Sequence, residues 1–486
     1  MPRKRHLALA GLAALAGVGT YRVVRARRGA KARRRVAIEA GAVVDARHQA
    51  KVDRIVEQLR AHPPGTPVSL KKAAPPHSVP KWKDLRRDDA KIDVSALTEI
   101  LEVDPVQRIC IAESGAMFDD VVAATLRYGL VPKVVPELKS ITIGGAVTGC
   151  SIESMSFQYG GFHDSCRAYE VITAKGEILE LSPQQLEFQM MQCSFGTLGI
   201  LSRLVFELVP AKPFVKLVYE RHTSARAYRE AILRHSRVKD YDFIDGFVHA
   251  MDDFVLALGT FVDSAPYTNR YDWTKIYYLS TKKRDEDYLR TQDYFFRYDR
   301  GVTTVTPKSW IARALVGKLF DSYTILSLAD KLHDFVLDKE RPTITLDVFL
   351  PISKMEEFLA WYAKEFEFFP LWCVPYKRVH DYEWLHDDFY ANLEDAWFVD
   401  LAIYGMKPQS DKPYHQLMEQ KLRELGGVKT LISHNYYTHD EFWQTWNKAN
   451  YDAVKAITDP DNLFRDLYTK TCKAAMGIED ASSGQS

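Results

Sequence analysis

The chain has 486 residues, 46% of them hydrophobic, with 25 Tyr, 24 Phe and 9 Trp. That length exceeds one ordinary core and predicts two or three domains of about 100–200 residues each. Basic and acidic residues balance at 65 against 64, which gives no global pull toward nucleic acid, and no basic-aromatic reading module is present.

The N-terminus departs from that balance. Leu7 to Tyr21 is a run of apolar or small residues without a charge, preceded by Arg3, Lys4 and Arg5 and followed by eight cations from Arg22 to Arg35. As a short hydrophobic helix it reaches roughly 22 Å at about 1.5 Å per residue, against a hydrocarbon core of about 30 Å. Extension through Val23 and Val24, with snorkelling arginines, makes a span just feasible. The following cations favour a membrane anchor with a cytoplasmic catalytic body and would also bind anionic lipid. A removed targeting segment and a disordered tail are the alternatives.

Ala37 to His62 reads as a helix, with Val43, Val52, Ile55, Val56 and Leu59 on one face and Pro63-Pro64-Gly65 ending it. Ile109 to Ala112 is a strand. Phe118 to Tyr128 is a helix with Val121, Val122, Thr125 and Leu126 inward, capped by Gly129. Tyr169 to Thr173 and Ile178 to Leu181 form a hairpin around Ala174-Lys175-Gly176. Ile200 to Val209 alternates, and Pro210 and Pro213 mark a domain boundary.

Beyond Phe214 strands and helices alternate among many aromatic residues. Thr343–Leu350 and Val399–Tyr404 are strands. Ser353–Phe366 and Tyr414–Leu425 are helices, the second stopped by Gly426-Gly427. The division is an anchor at 1–36, a first domain at 37–212, a second at 213–476 and a disordered tail at 477–486. The six cysteines (Cys110, Cys150, Cys166, Cys193, Cys373, Cys472) show no CxxC pair and no zinc spacing, so they read as reduced thiols with no metal site.

The chemistry is concentrated between Pro136 and Lys212. Gly144-Gly145 lets backbone N–H groups approach a ligand closely, and Thr142, Thr148, Ser151 and Ser154 supply hydroxyls. No GxGxxG or Walker loop is present. On these residues alone, a glycine-rich structural turn is an equal reading.

The order of the motifs goes further. A proline is followed by Thr142-x-Gly-Gly145, then Tyr159-Gly160, then Gly196-Thr-Leu-Gly199. From about Thr66 to Pro210 this resembles the FAD-binding domain of the vanillyl-alcohol oxidase superfamily. The resemblance implies an α+β fold: a PCMH-type FAD-binding domain of two subdomains plus an α/β substrate (cap) domain. It implies that Thr142, Gly144, Gly145, Gly149, Ser151, Ser154, Gly160, Gly196 and Gly199 line FAD. One part departs. Oxidases of this superfamily open with a glycine-rich turn that often holds a histidine bonded to flavin, whereas Lys71–Pro80 here has no glycine. His77 therefore reads as a surface turn residue and the FAD as non-covalent.

Further strings are similar to the delta-24 sterol reductase family (the seladin or Diminuto proteins). They are Val134–Leu138, Gly149–Ser154, Val209–Leu217, Glu441-Phe-Trp443 and Cys472–Ala475. The Gly144–Glu153 stretch is equally similar to bacterial reductases of methylene-branched fatty acyl chains. Both resemblances imply reduction of an isolated C=C bond in a lipid by flavin that NADPH replenishes. Such an alkene needs hydride on one carbon and a proton on the other, delivered in a dry pocket.

The proton-donor region is expected at Tyr436 and His434, with Tyr294 a further candidate. Each has a packing role as its alternative. Tyr294–Arg300 mixes rings with cations and is a candidate region, with Arg297 and Arg300 facing water as its alternative; Glu153 is expected near the flavin or as a buried hydrogen-bonding partner. Two other functions compete: an oxidase or dehydrogenase of a sugar alcohol, lactone or lipid-linked sugar, and an inactive membrane-tethered lipid-binding protein.

Overall fold

A computed structural model describes residues 41–478 except 78, 83–88, 273–274, 300–322, 324–326, 328–341, 392 and 394–395. The apolar run Leu7–Tyr21, Arg300 and the tail beyond 478 lie outside the described residues. Among the described residues no helix is long and apolar enough to cross a membrane.

The helix Gly41–Ala61 contains no proline, and its stripe of Val52, Ile55, Val56 and Leu59 is buried. It covers a two-stranded parallel sheet, β1 (Val68–Lys71) with β2 (Ala90–Asp93), through Val68 and Ile92. Ile172 and Ile200 join the same cluster from the sheet that follows. That second sheet has six strands: β3 (Ile100–Asp104), β4 (Ile109–Glu113), β5 (Leu130–Pro132), β6 (Cys166–Ile172), β7 (Ile178–Leu181) and β8 (Ile200–Pro210). Its order is β3-β4-β8-β6-β7, with β5 pairing the far end of β8, and every pair is antiparallel. β8 alternates as its sequence does, with Leu204, Phe206 and Leu208 inward.

Two sheets beside one helix on the N-terminal side match the expected α+β domain. The expected helix Phe118–Tyr128 divides into an α-helix, Phe118–Thr125, and a tighter 3-10 turn, Leu126–Tyr128.

After Pro210 the chain enters an eight-stranded antiparallel sheet. Its strands are β9 (Phe214–His222), β10 (Phe243–Ala250), β11 (Asp253–Val262), β12 (Glu286–Arg290), β13 (Ile344–Pro351), β14 (Leu371–Lys377), β15 (Trp397–Met406) and β16 (Val428–Lys429). The order is β12-β9-β11-β10-β14-β15-β13-β16. One face packs under the helices Ala225–Val238, Met355–Glu365 and Tyr414–Leu425 through Ile244, Leu256 and Val348. The other face, with Phe243, Val255 and Trp372, shares one cluster with Phe118, Ile143 and Phe206 of the first domain. Successive strand residues point to opposite faces, so one sheet serves both cores.

The C-terminal stretch differs from the expected second domain at 213–476. Lys455 reaches the Thr197 carbonyl, Arg465 pairs with Asp89 at 2.7 Å, and Leu463 accepts the Val68 N–H at 2.9 Å. Phe464 completes the core under the helix Gly41–Ala61. The last part of the chain thus folds back onto the first domain, a long-range pairing that carries no local sequence signal.

Candidate active site

Thr142 is extended (φ −92°, ψ 151°) and caps the short helix Ile143–Thr148, its hydroxyl accepting the Gly145 N–H at 3.2 Å. The Ile143 and Gly144 N–H groups go to Ala116 and Ser114 carbonyls, at 3.0 and 2.8 Å. A Cβ on Gly144 would sit 2.7 Å from the Ser114 Cβ. These glycine N–H groups were expected to face a ligand. They are instead satisfied within the protein, because the segment turns into a helix tight against residues 114–116.

The glycine-poor turn lies directly beside this loop. His77 Nε2 is 3.3 Å from the Ser140 hydroxyl, and the ring is half-buried. Burial pushes its imidazole down to about 4, with Lys72 adding to the effect. His77 is therefore neutral and packed rather than a solvated surface histidine. The turn that departs from the family pattern thus meets the stretch that the resemblance assigns to FAD across some sixty residues of sequence.

Gly196-Thr197-Leu198-Gly199 opens β8. Gly199, at φ 140°, leaves space that a Cβ would lose to Val171, 2.8 Å away. Three C-terminal side chains brace this turn: Tyr451 donates to Thr197 Oγ1 (2.9 Å), Lys455 to Thr197 O (2.7 Å) and Lys470 to Phe195 O (2.8 Å).

A cleft opens where the first domain meets the eight-stranded sheet. Gly149, Cys150 and Ile152 line it from the first domain, and Tyr376, Tyr382 and Phe398 from the second. Burial, with Cys193 alongside, raises the Cys150 thiol well above its usual range, so it stays a thiol rather than a nucleophilic thiolate. The polar groups at this cleft include His163, Arg378, Lys429 and Thr430.

Behind the wall lies a buried ionic cluster. Arg297 Nη2 is 2.9 Å from Glu153 Oε1 and 2.8 Å from Asp245 Oδ2. Asp245 Oδ2 also accepts from Tyr298 (2.7 Å) and Trp372 (3.0 Å). Arg297 is 1% exposed, so the water-facing alternative does not hold for it. Its sequence neighbours, Tyr294 to Tyr298, form a compact turn that encloses it. Burial raises the Glu153 carboxyl; Arg297 opposes the rise and Asp245 adds to it. Ser154 is fully buried, donates to Glu153 and accepts the Tyr294 hydroxyl at 3.0 Å. Tyr294 thus sits in this sealed cluster and is not among the residues lining the cleft.

His434 and Tyr436 also stand back from the cleft. His434 is 2% exposed, and burial, with Lys81 and Lys429, pushes its imidazole down to about 3. A ring neutral at all working pH carries no imidazolium proton to give. Tyr436 is held by its backbone N–H on Glu419 (3.0 Å), its ring 5.6 Å from that of His415. Lys429, ion-paired to Glu419 and bonded to the His434 carbonyl (2.7 Å), connects this cluster to the cleft wall.

Sequence reasoning passed over His163, Asp164, Tyr376, Tyr382 and His380, which gather at the cleft's edge. The available signal was His163-Asp164 immediately after Tyr159-Gly160-Gly161.

Residues 40–182 match the family model described as FAD binding domain. The chain is 26% identical over 410 residues to the delta(24)-sterol reductase of Mus musculus, covering 78% of this chain and 77% of that protein. It is 25% identical to the Homo sapiens delta(24)-sterol reductase over the same shares. A delta(24)-sterol reductase homolog of Caenorhabditis elegans is 24% identical over 474 residues, 88% of each chain. Residues 40–182 are thus similar to FAD-binding domains, and the chain is similar over most of its length to delta(24)-sterol reductases.

Proposed function

We propose that this protein is an FAD-dependent oxidoreductase that reduces an isolated carbon–carbon double bond in a lipid, with NADPH as electron donor. The observation that carries this reading is the cleft. Its walls are largely aromatic and aliphatic, and it lies between the stretch following Thr142-x-Gly-Gly145 and the eight-stranded sheet. An apolar chain fits such walls, and water does not compete there for the reacting carbons.

The residues that would hold the cofactor are Thr142, Gly144, Gly145, Gly149, Ser151, Ser154, Gly160, Gly196 and Gly199. Bound FAD supplies hydride transfer. His77 stands against Ser140 in a turn without glycine, which supports non-covalent binding. The substrate is a sterol side chain unsaturated at the delta-24 position or a methylene-branched fatty acyl chain.

The test is anaerobic. NADPH should bleach the flavin band at ~450 nm, and a delta-24 sterol or methylene-branched phospholipid should then restore it while gaining two hydrogens by mass. Bleaching by a sugar alcohol instead would establish the dehydrogenase alternative. Protein that takes up no flavin would establish the inactive lipid-binding one.

A further inference from the structure

Asp164 stands at the centre of a chain of polar groups running from solvent to the cleft. It belongs to the turn Phe162–Ser165, and its side chain is 1% exposed. Gly160, at φ 76°, makes room for it: a Cβ there would collide with the Asp164 carboxylate. Asp164 Oδ2 accepts from the Gly161 N–H (2.7 Å) and the Tyr382 hydroxyl (3.0 Å), and Oδ1 lies 3.1 Å from His380 Nε2. The Tyr382 hydroxyl also meets the Tyr376 hydroxyl, and both rings line the cleft.

At the outer end, the His380 side chain is 39% exposed, and its Nδ1 faces the Asp381 carbonyl at 2.7 Å. Both ring nitrogens therefore face acceptors, an arrangement that favours the imidazolium. His163 Nε2 lies 3.4 Å from Asp164 Oδ2, and its ring, 2% exposed, borders the same cleft.

We propose that His380, Asp164, Tyr382 and Tyr376 form a proton relay from solvent to the lipid double bond, with the Tyr376 hydroxyl as the terminal donor. This rests on the reductase reading above. Hydride from reduced flavin brings two electrons and one hydrogen to one alkene carbon. The Tyr376 O–H bond breaks, a C–H bond forms at the other carbon, and the π bond is consumed. The Tyr376 phenolate takes the Tyr382 proton, and Tyr382 is restored by the proton that His380 passes through Asp164. Water reloads His380, so one turnover consumes one hydride and one solvent proton.

The electrostatics agree with the direction of flow. Burial holds both tyrosines well above the usual phenol range, so the donor is fully protonated at neutral pH. Burial opposes charge on Asp164 and His380, yet their neighbours outweigh it: His163 and His380 lower the carboxyl, and Asp164 with the Asp381 carbonyl raises the His380 imidazole. His380 and Tyr382 bind different oxygens of Asp164, so relaying the proton requires the protonated carboxyl and the Tyr382 hydroxyl to reorient.

The experiment reduces the FAD-loaded enzyme anaerobically with dithionite. It then follows flavin reoxidation by a delta-24 sterol or a methylene-branched phospholipid, in water and in deuterium oxide. Wild type should reoxidise with a solvent isotope effect. Tyr376→Phe, still carrying flavin, should slow reoxidation by roughly 10²–10⁴-fold. His380→Gln, a surface change that folding tolerates, should also slow it and recover with added imidazole, which a purely structural role would not do. Wild-type reoxidation by Tyr376→Phe, or a His380→Gln defect that imidazole leaves unchanged, overturns the relay alone. A wild-type flavin that neither lipid reoxidises overturns the reductase reading and the relay with it.

Discussion

Arg297 shows what one buried charge does here. Its guanidinium lies 4.1 Å from the Tyr294 ring centroid and 4.6 Å from that of Tyr298, between two carboxylates on different domains. Removing the cation leaves Glu153 and Asp245 buried without a partner. Arg297→Met is expected to cost about 3–5 kcal/mol, read as a lowered urea midpoint. The coupling of Glu153 to Asp245 passes through this one residue, so Glu153→Gln should lose less. Gly160 is a second point of strain, since any side chain there is strained at φ 76° and meets Asp164. Gly160→Ala should lower stability by at least about 1 kcal/mol, measured by thermal denaturation. The arginine's burial was not legible in Tyr294–Arg300, because residues 153, 245 and 297 meet only across the domain boundary. Gly160 was legible as part of a motif, though its role in admitting a carboxylate was not.

The helix Gly41–Ala61 is pinned to the six-stranded sheet by charge as well as by its apolar stripe. His48 Nδ1 lies 3.0 Å from Glu113 and Nε2 lies 2.7 Å from Glu170, while Lys51 binds Glu113 at 2.8 Å. Burial disfavours the imidazolium, but the two carboxylates outweigh it and raise the ring to about 9. A raised folded-state value means this pairing contributes fully below about 6.5, where unfolded histidine is also protonated, and is lost as pH rises through about 9. Wild type should therefore lose up to about 3 kcal/mol between pH 6 and 10 that His48→Gln does not lose. Parallel chemical denaturation curves would show it, and identical pH slopes would refute it. The stripe of Val52, Ile55, Val56 and Leu59 was readable from helical spacing, as were the hairpin of β6 with β7 and the exact helix Tyr414–Leu425. The ionic clamp was not, since spacing along a helix does not reveal which strand residues it will cover.

At the scale of the molecule, the C-terminal return locks the FAD-binding domain. Tyr451 both donates to Thr197 and accepts the Leu467 N–H at 3.0 Å, tying the Gly196–Gly199 turn to the end of the chain. Tyr451→Phe should cost about 1–3 kcal/mol and weaken flavin retention, checked by melting temperature and by absorbance after gel filtration. Unchanged retention would separate this brace from the cofactor site.

The FAD-binding domain, the reaction class and most elements were determined by local sequence. Apolar periodicity, turn residues and motif order each act over a few positions. The cleft, the buried Arg297 cluster and the Asp164 chain were decided by tertiary structure alone. Asp245 and Arg297 lie 52 positions apart and Asp164 and Tyr382 218, and only packing brings such residues within hydrogen-bonding reach. The candidate donors read from the sequence, Tyr294, His434 and Tyr436, are not among the residues that line the cleft, whereas Tyr376 and Tyr382 are.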